Sequence, residues 1–177
     1  MSEVRRRTSE IRSRSLEVRN QTSDFRNPIK SLALSVLGKL GAREAYLEVV
    51  LVSDATMRAL NRLRRGKDRP TNVLSIEYPK DEISLGGYRL LGEVYLAPSY
   101  ISRAGDDIAR LLIHGILHLC GYSHETERDR IAMDRRENEL YISALRSFRA
   151  QPLRFAHDAQ HRTGTRRRIA RHQSARR

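Results

Sequence analysis

The chain holds a single cysteine and no tryptophan, and aromatic residues make up only 6% of its 177 positions. One cysteine, Cys120, forms no intramolecular disulfide. This excludes a disulfide-stapled secreted scaffold and fits a reducing, cytoplasmic setting. No apolar run approaches the roughly 20 residues that cross a bilayer, so no membrane span is expected. The basic N-terminus lacks the apolar core of a secretory signal, and its four acids argue against a transit peptide. Acidic residues are in short supply. There are 21 Asp and Glu against 34 Lys and Arg, for a formal charge of +13. The deficit is concentrated at the ends. Residues 1–26 carry seven arginines against four acids, and residues 151–177 carry eight arginines against one. Such ends favour a polyanion, either nucleic acid or an anionic surface.

The organisation follows from this unevenness. Residues 1–27 form a basic arm with a seven-residue repeat (MSEVRRR, TSEIRSR, SLEVRNQ, TSDFRNP). It has one apolar position per heptad where a coiled coil needs two, so it is expected to be a solvated, poorly ordered arm. Residues 28–148 are long enough for one domain with a proper core. Residues 149–177 are an Arg-rich tail without apolar periodicity. Within the domain the patterns predict a helix from Pro28 to about Leu40, a strand over 45–52 and a helix from Ser53 or Asp54 to about Leu63. A basic loop is expected over 64–71, then strands over 72–78 and 88–96, with Gly92 marking a bulge or close approach. A helix starting near 99–102 breaks near Gly105 and continues through 108–120, and a last helix, capped by Thr126, spans 126–148. The fold class expected is α+β, with a small mixed sheet of about four strands packed with about five to six helices.

Residues 114–124 read His-Gly-Ile-Leu-His-Leu-Cys-Gly-Tyr-Ser-His. His114 and His118 stand at i and i+4 on one helix face. Gly121 can end the helix in a left-handed conformation and turn the chain so that His124 returns to the same point. A lone histidine in an apolar helix is ordinarily a core residue. Three with this spacing match a catalytic zinc site, with a fourth position left open. The spacing is that of metzincin proteases, but the glutamate that serves them as general base is replaced by Gly115, so a different reaction is expected. Cys120 lies on the wrong side of the helix to join. His157 and His161, also i, i+4, lie in the Arg-rich tail with nothing nearby to complete a ligand set. In the basic loop, Arg64, Arg65, Lys67 and Arg69 outnumber Asp68. A solvated turn and a phosphate-gripping loop are both consistent with that charge.

Three blocks, LNRLRRGKDRPTNVLS at 60–75, LLGEVYLAP at 90–98 and HGILHLCGYSH at 114–124, together resemble the YbeY family of bacterial endoribonucleases. The resemblance spans about residues 28–148. It implies a zinc-hydrolase-like fold and one Zn2+ per chain held by His114, His118 and His124, with Arg65 and His114 as catalytic residues. It further implies single-strand cleavage in ribosomal RNA processing, notably at the 3′ end of the small-subunit RNA, and in ribosome quality control. The partners it implies are ribosomal RNA and the ribosome's small subunit, with ribosomal proteins or assembly GTPases as candidates beside them. Ser123 departs from the family, which usually has Asp there. That Asp is not a metal ligand, so its loss bears on affinity or rate. The alternatives are an assembly or RNA-binding factor with a structural metal, and a metalloprotease.

Overall fold

The computed structural model describes residues 16–19, 26–79 and 88–148. In chain order these form β1 (Leu16–Arg19), α1 (Arg26–Lys39), β2 (Ala45–Leu51), α2 (Asp54–Arg65), β3 (Val73–Glu77), β4 (Arg89–Leu96), α3 (Pro98–Ala104), α4 (Ile108–Leu119) and α5 (Glu127–Phe148). The strands make one sheet in the order β1-β2-β4-β3. Strands β1 and β4 run parallel to β2, and β3 runs antiparallel to β4. The expected α+β class with a small mixed sheet is what the chain adopts.

The sheet reaches further back than the sequence patterns indicated. Residues 1–27 were expected to be a solvated arm, yet Leu16–Arg19 is an edge strand, with Leu16 opposite Leu47 and Val18 opposite Val49. Parallel strands need a crossover, and α1 supplies it. Residues 26–28 of the repeat open α1, and its remaining residues and the Arg-rich tail lie outside the described residues.

Burial explains the layers. Helix α1 buries Ile29, Leu32, Ala33, Val36 and Leu37, the stripe that a 3.6-residue period places on one side. Helix α4 packs on β3 and β4 with one side and meets α1 and α5 with others. A helix covered from several directions reads as a nearly continuous apolar run, and Leu112, Ile113, Ile116 and Leu117 are completely buried. Helix α5 contributes a narrower stripe of Met133, Leu140 and Ala144. A second, smaller core of Met57, Leu74 and Ala97, flanked by Leu60, Ile76 and Tyr95, joins α2 to β3 and β4.

Gly92 is the bulge that the sequence suggested. The β2–β4 register slips between Tyr46 and Leu47, which pair with Leu90 and Gly92 respectively. Gly92 sits at φ 145°, and a Cβ there would lie 2.1 Å from the carbonyl oxygen of Ile76. Only glycine lets β3 approach β4 so closely.

Candidate metal centre

The centre is built on α4 and the turn that ends it. Asp107 caps the helix, its Oδ1 accepting from the backbone N–H of Ala109 (2.7 Å) and Arg110 (3.2 Å). At the other end Gly121 takes φ 91°. The Gly121 N–H donates to the His118 carbonyl (2.9 Å) and the Tyr122 N–H to the Leu117 carbonyl (3.0 Å). This paired hydrogen-bond closure reverses the chain after the helix. It carries His124 back toward the face that bears His114 and His118. One ligand-type nitrogen from each of the three lies within 4.8 Å of the others. His114 and His118 are half-buried, and His124 is exposed.

Two of the rings have their orientation set by the protein. His118 Nδ1 lies 3.1 Å from the Tyr122 carbonyl oxygen, which can only accept, so Nδ1 carries the proton. His114 Nδ1 lies 2.9 Å from Glu137 Oε2, and an ionised carboxylate also only accepts. In a neutral ring held this way Nε2 keeps its lone pair, and the two Nε2 atoms face each other at 3.1 Å. Two lone pairs held that way repel unless a cation lies between them. With Zn–N bonds of about 2.0–2.1 Å, tetrahedral ligands are separated by about 3.3 Å, so the spacing and the donor set both fit such an ion. The pKa of His118 is depressed. Burial is the largest cause, followed by the neighbouring His114 and His124 and, more weakly, by the charge of Arg65, while the Tyr122 carbonyl opposes it. Depression favours the neutral imidazole that a metal requires.

Glu137 is the residue that sequence patterns did not single out. Burial pushes its pKa up, but the His114 hydrogen bond and the charges of His114 and Arg110 outweigh that and hold it below the ordinary carboxylate range. Arg110 Nη1 donates to its second oxygen at 3.1 Å. Arg110 in turn lies over the Tyr141 ring at 4.6 Å, and the Tyr141 hydroxyl donates to Asp107 Oδ2 at 2.5 Å. One signal was available: Arg110 is the lone charge in an otherwise apolar helix, and such a residue needs a partner.

Gly115 shows why no protease base stands beside His114. A Cβ there would lie 2.8 Å from Val94 Cγ1 and 3.0 Å from Ser75 Oγ. The helix rests directly on the sheet at this point, and the Ser75 hydroxyl donates to the Gly115 carbonyl at 3.2 Å. A glutamate side chain has no room.

Arg65 belongs to the last turn of α2, together with Arg62 and Arg64, and is exposed. The sequence patterns had placed Arg64 and Arg65 in the loop, but that loop begins with Gly66. Cations at a helix C-terminus are favoured by its dipole, so a basic run there extends the helix. The loop folds back onto α2. Asn61 Nδ2 donates to the Arg69 carbonyl at 2.7 Å, and Arg58 grips both oxygens of Asp68 at 2.8 and 2.7 Å. Asp68 is thereby taken up by Arg58, which leaves Arg64, Arg65, Lys67 and Arg69 as exposed cations, and the charge of Arg65 reaches His118. Cys120 is half-buried against the main core and lies outside the histidine group. His157 and His161 lie outside the described residues.

A model of the family described as Endoribonuclease YbeY matches residues 10–144. The chain belongs to the YbeY family. The match begins ahead of β1, in keeping with the place of that strand in the sheet, and it contains Arg65 and all three histidines. YbeY relatives agree. The endoribonuclease YbeY of Persephonella marina is 35% identical over 130 residues, which is 68% of this chain and 83% of the relative. That of Neorickettsia sennetsu is 36% identical over 109 residues, 57% of this chain and 74% of the relative. That of a Chelativorans species is 39% identical over 111 residues, 58% of this chain and 68% of the relative. The solution structure of TM1509 from Thermotoga maritima has a similar fold, with a TM-score of 0.54 at 24% identity, covering 78% of this chain and 94% of that one. Among the described residues no helix is long and apolar enough to cross a membrane.

Proposed function

We propose that this chain is a zinc-dependent endoribonuclease that cuts single-stranded RNA during ribosomal RNA processing, with the 3′ end of the small-subunit RNA as its main target, and that it also serves ribosome quality control. Membership of the YbeY family supports the endoribonuclease role. The observation that carries the metal-dependent reading is the pair of facing Nε2 lone pairs at 3.1 Å, with His124 beside them. His114, His118 and His124 would hold the ion, one per chain.

When bound, zinc supplies Lewis acidity toward a phosphate oxygen and eases loss of a proton from water. The chain's own residues do the rest. Arg65, whose charge reaches His118, would offset the negative charge that gathers on the phosphorus oxygens as the bond breaks. Arg64, Lys67 and Arg69 would contact flanking phosphates, and the grip of Arg58 on Asp68 keeps that acid from opposing them. The basic ends would add sequence-independent affinity that falls with salt. The small ribosomal subunit is the partner this role would bring, with ribosomal proteins or assembly GTPases as further candidates.

The test is cleavage of a precursor small-subunit RNA by metal-analysed protein, beside Arg65→Ala and His114→Ala. The parent should cut. Arg65→Ala should keep its zinc and lose roughly 100-fold or more in rate, the scale of one transition-state donor. His114→Ala should lose both zinc and cutting. Equal cutting by all three would refute the proposal. An Arg65→Ala protein that cuts normally while His114→Ala does not would remove Arg65 from the mechanism.

A further inference from the structure

The network behind His114 extends well beyond its contact with Glu137, and it is built from residues far apart in the chain. Asp107, Arg110 and His114 lie at i, i+3 and i+7 along one face of α4. Glu137 and Tyr141 lie at i and i+4 on the facing side of α5. Every polar group in this seam meets the next. Asp107 spends one oxygen on the helix cap and the other on the Tyr141 hydroxyl. The Tyr141 ring carries the Arg110 guanidinium, which donates to Glu137 Oε1. Glu137 Oε2 accepts from His114 Nδ1. The Glu137 side chain is only 12% exposed, so water is a poor substitute for either of its contacts.

From this geometry we infer that Glu137 is a positioning residue, which fixes the His114 ring as the Nδ1–H tautomer and aims its Nε2 into the histidine cluster. Arg110, braced by Tyr141, holds the carboxylate at the angle that does so. The inference rests on the reading of the three histidines as metal ligands, but its first consequence is a property of the His114 ring alone. An isolated imidazole distributes its proton over both nitrogens. Glu137 removes that choice, so the ligand needs neither a proton shift nor a ring flip before it binds. His118 obtains the same service from its own turn, through the Tyr122 carbonyl. His114, in mid-helix, has no such carbonyl to hand, and α5 supplies the acceptor.

Two readouts test this on the full chain. In the metal-stripped protein above the histidine titration range, long-range 1H–15N correlation spectra report the tautomer of each imidazole. His114 should be Nδ1–H in the parent. In Glu137→Ala it should become a mixture, while His118 stays as it was. Zinc affinity, measured by chelator competition, should fall about 10–100-fold in Glu137→Ala, the usual effect of removing such an outer partner. Glu137→Gln keeps one acceptor oxygen and should recover part of both signals. Glu137→Ala in which the His114 tautomer and zinc affinity match the parent overturns the inference. So does a Glu137→Gln protein that behaves no better than Glu137→Ala at equal thermal stability, because a packing defect would then explain the loss. A parent whose zinc affinity is indifferent to His114→Ala overturns the metal reading itself. The tautomer result would still show whether Glu137 orients the ring.

Discussion

Replacing Gly115 with alanine should destabilise the protein, although the same change in an ordinary helix stabilises it. In a free helix interior the alanine gains about 1 kcal/mol, because glycine gives up more backbone freedom on folding. Here the new methyl would meet Val94 Cγ1 at 2.8 Å and Ser75 Oγ at 3.0 Å. Ser75 can turn away, at the cost of its hydrogen bond to the Gly115 carbonyl, about 1 kcal/mol. Val94 has no such freedom. It is completely buried and branched at Cβ, so α4 must lift from the sheet. Overpacking of this kind costs about 1–3 kcal/mol, and since the lost hydrogen bond and the helix gain cancel, a net loss of about 1–3 kcal/mol remains. For a chain of this size that lowers the melting midpoint by roughly 3–9 °C. Thermal and urea unfolding should be measured with a chelator present, so that metal binding does not mask the difference. In a Val94→Ala background the offending methyls are gone, and the same glycine replacement should become neutral or stabilising. A midpoint that rises in the parent background would show that α4 does not rest on the sheet as described.

Other perturbations give independent checks. Gly92→Ala should be the more damaging glycine replacement, with a loss of more than about 3 kcal/mol, since it adds left-handed strain to a backbone collision 2.1 Å from the Ile76 carbonyl; urea unfolding midpoints of the two variants would rank them. Asp107→Ala removes the α4 cap and should cost about 1–2 kcal/mol, while Asp107→Asn, a comparable cap, should cost much less in the same assay. Burial and the Glu93 hydrogen bond push the Tyr95 hydroxyl up to about 12, and burial beside the charges of Glu93 and Glu48 raises Tyr78 further. Both phenols are favoured in their protonated form by folding. Their contribution is complete below pH 10 and is lost as pH rises through the folded pKa, so alkaline unfolding should steepen above pH 10. Absorbance titration should show a late class of phenolates that ionises only on unfolding. If every tyrosine ionised near pH 10 in the folded protein, this account of the Glu93 cluster would be wrong.

Local chemistry was legible in the chain, and long-range pairing was not. The H-x3-H-x2-G-x2-H spacing places three imidazoles together because every step between them is local: a helical turn, a left-handed glycine and a short return. Gly92 and Gly105 likewise announced a bulge and a helix break. The strand at Leu16–Arg19 was hidden. Its four residues sit inside a charged repeat, and what makes them a strand is the edge of β2, which no local pattern reveals. Arg64 and Arg65 read as loop because segment 64–71, with four basic residues, Gly66 and Pro70, has loop-like composition, whereas the helix dipole and the Gly66 cap extend α2 through them. Glu137 was invisible for a related reason. It is one acid among several in a helix of alternating charge, and only its packing against His114 sets it apart.

The turn at Gly121 has a practical corollary. It brings the three histidines together within α4 and the loop that follows it, with Glu137 of α5 behind His114, whereas Arg65 arrives from α2. The part that would bind an ion and the part that would use it are therefore assembled by different contacts, and they can fail separately. A misassembled or partly unfolded preparation could hold close to one metal per chain and still be inert. Metal content is for this reason a poor measure of how much protein in a sample is competent to cut. A measure that depends on α2 and the sheet being in place, such as the late ionisation of Tyr95, would count the working molecules more faithfully.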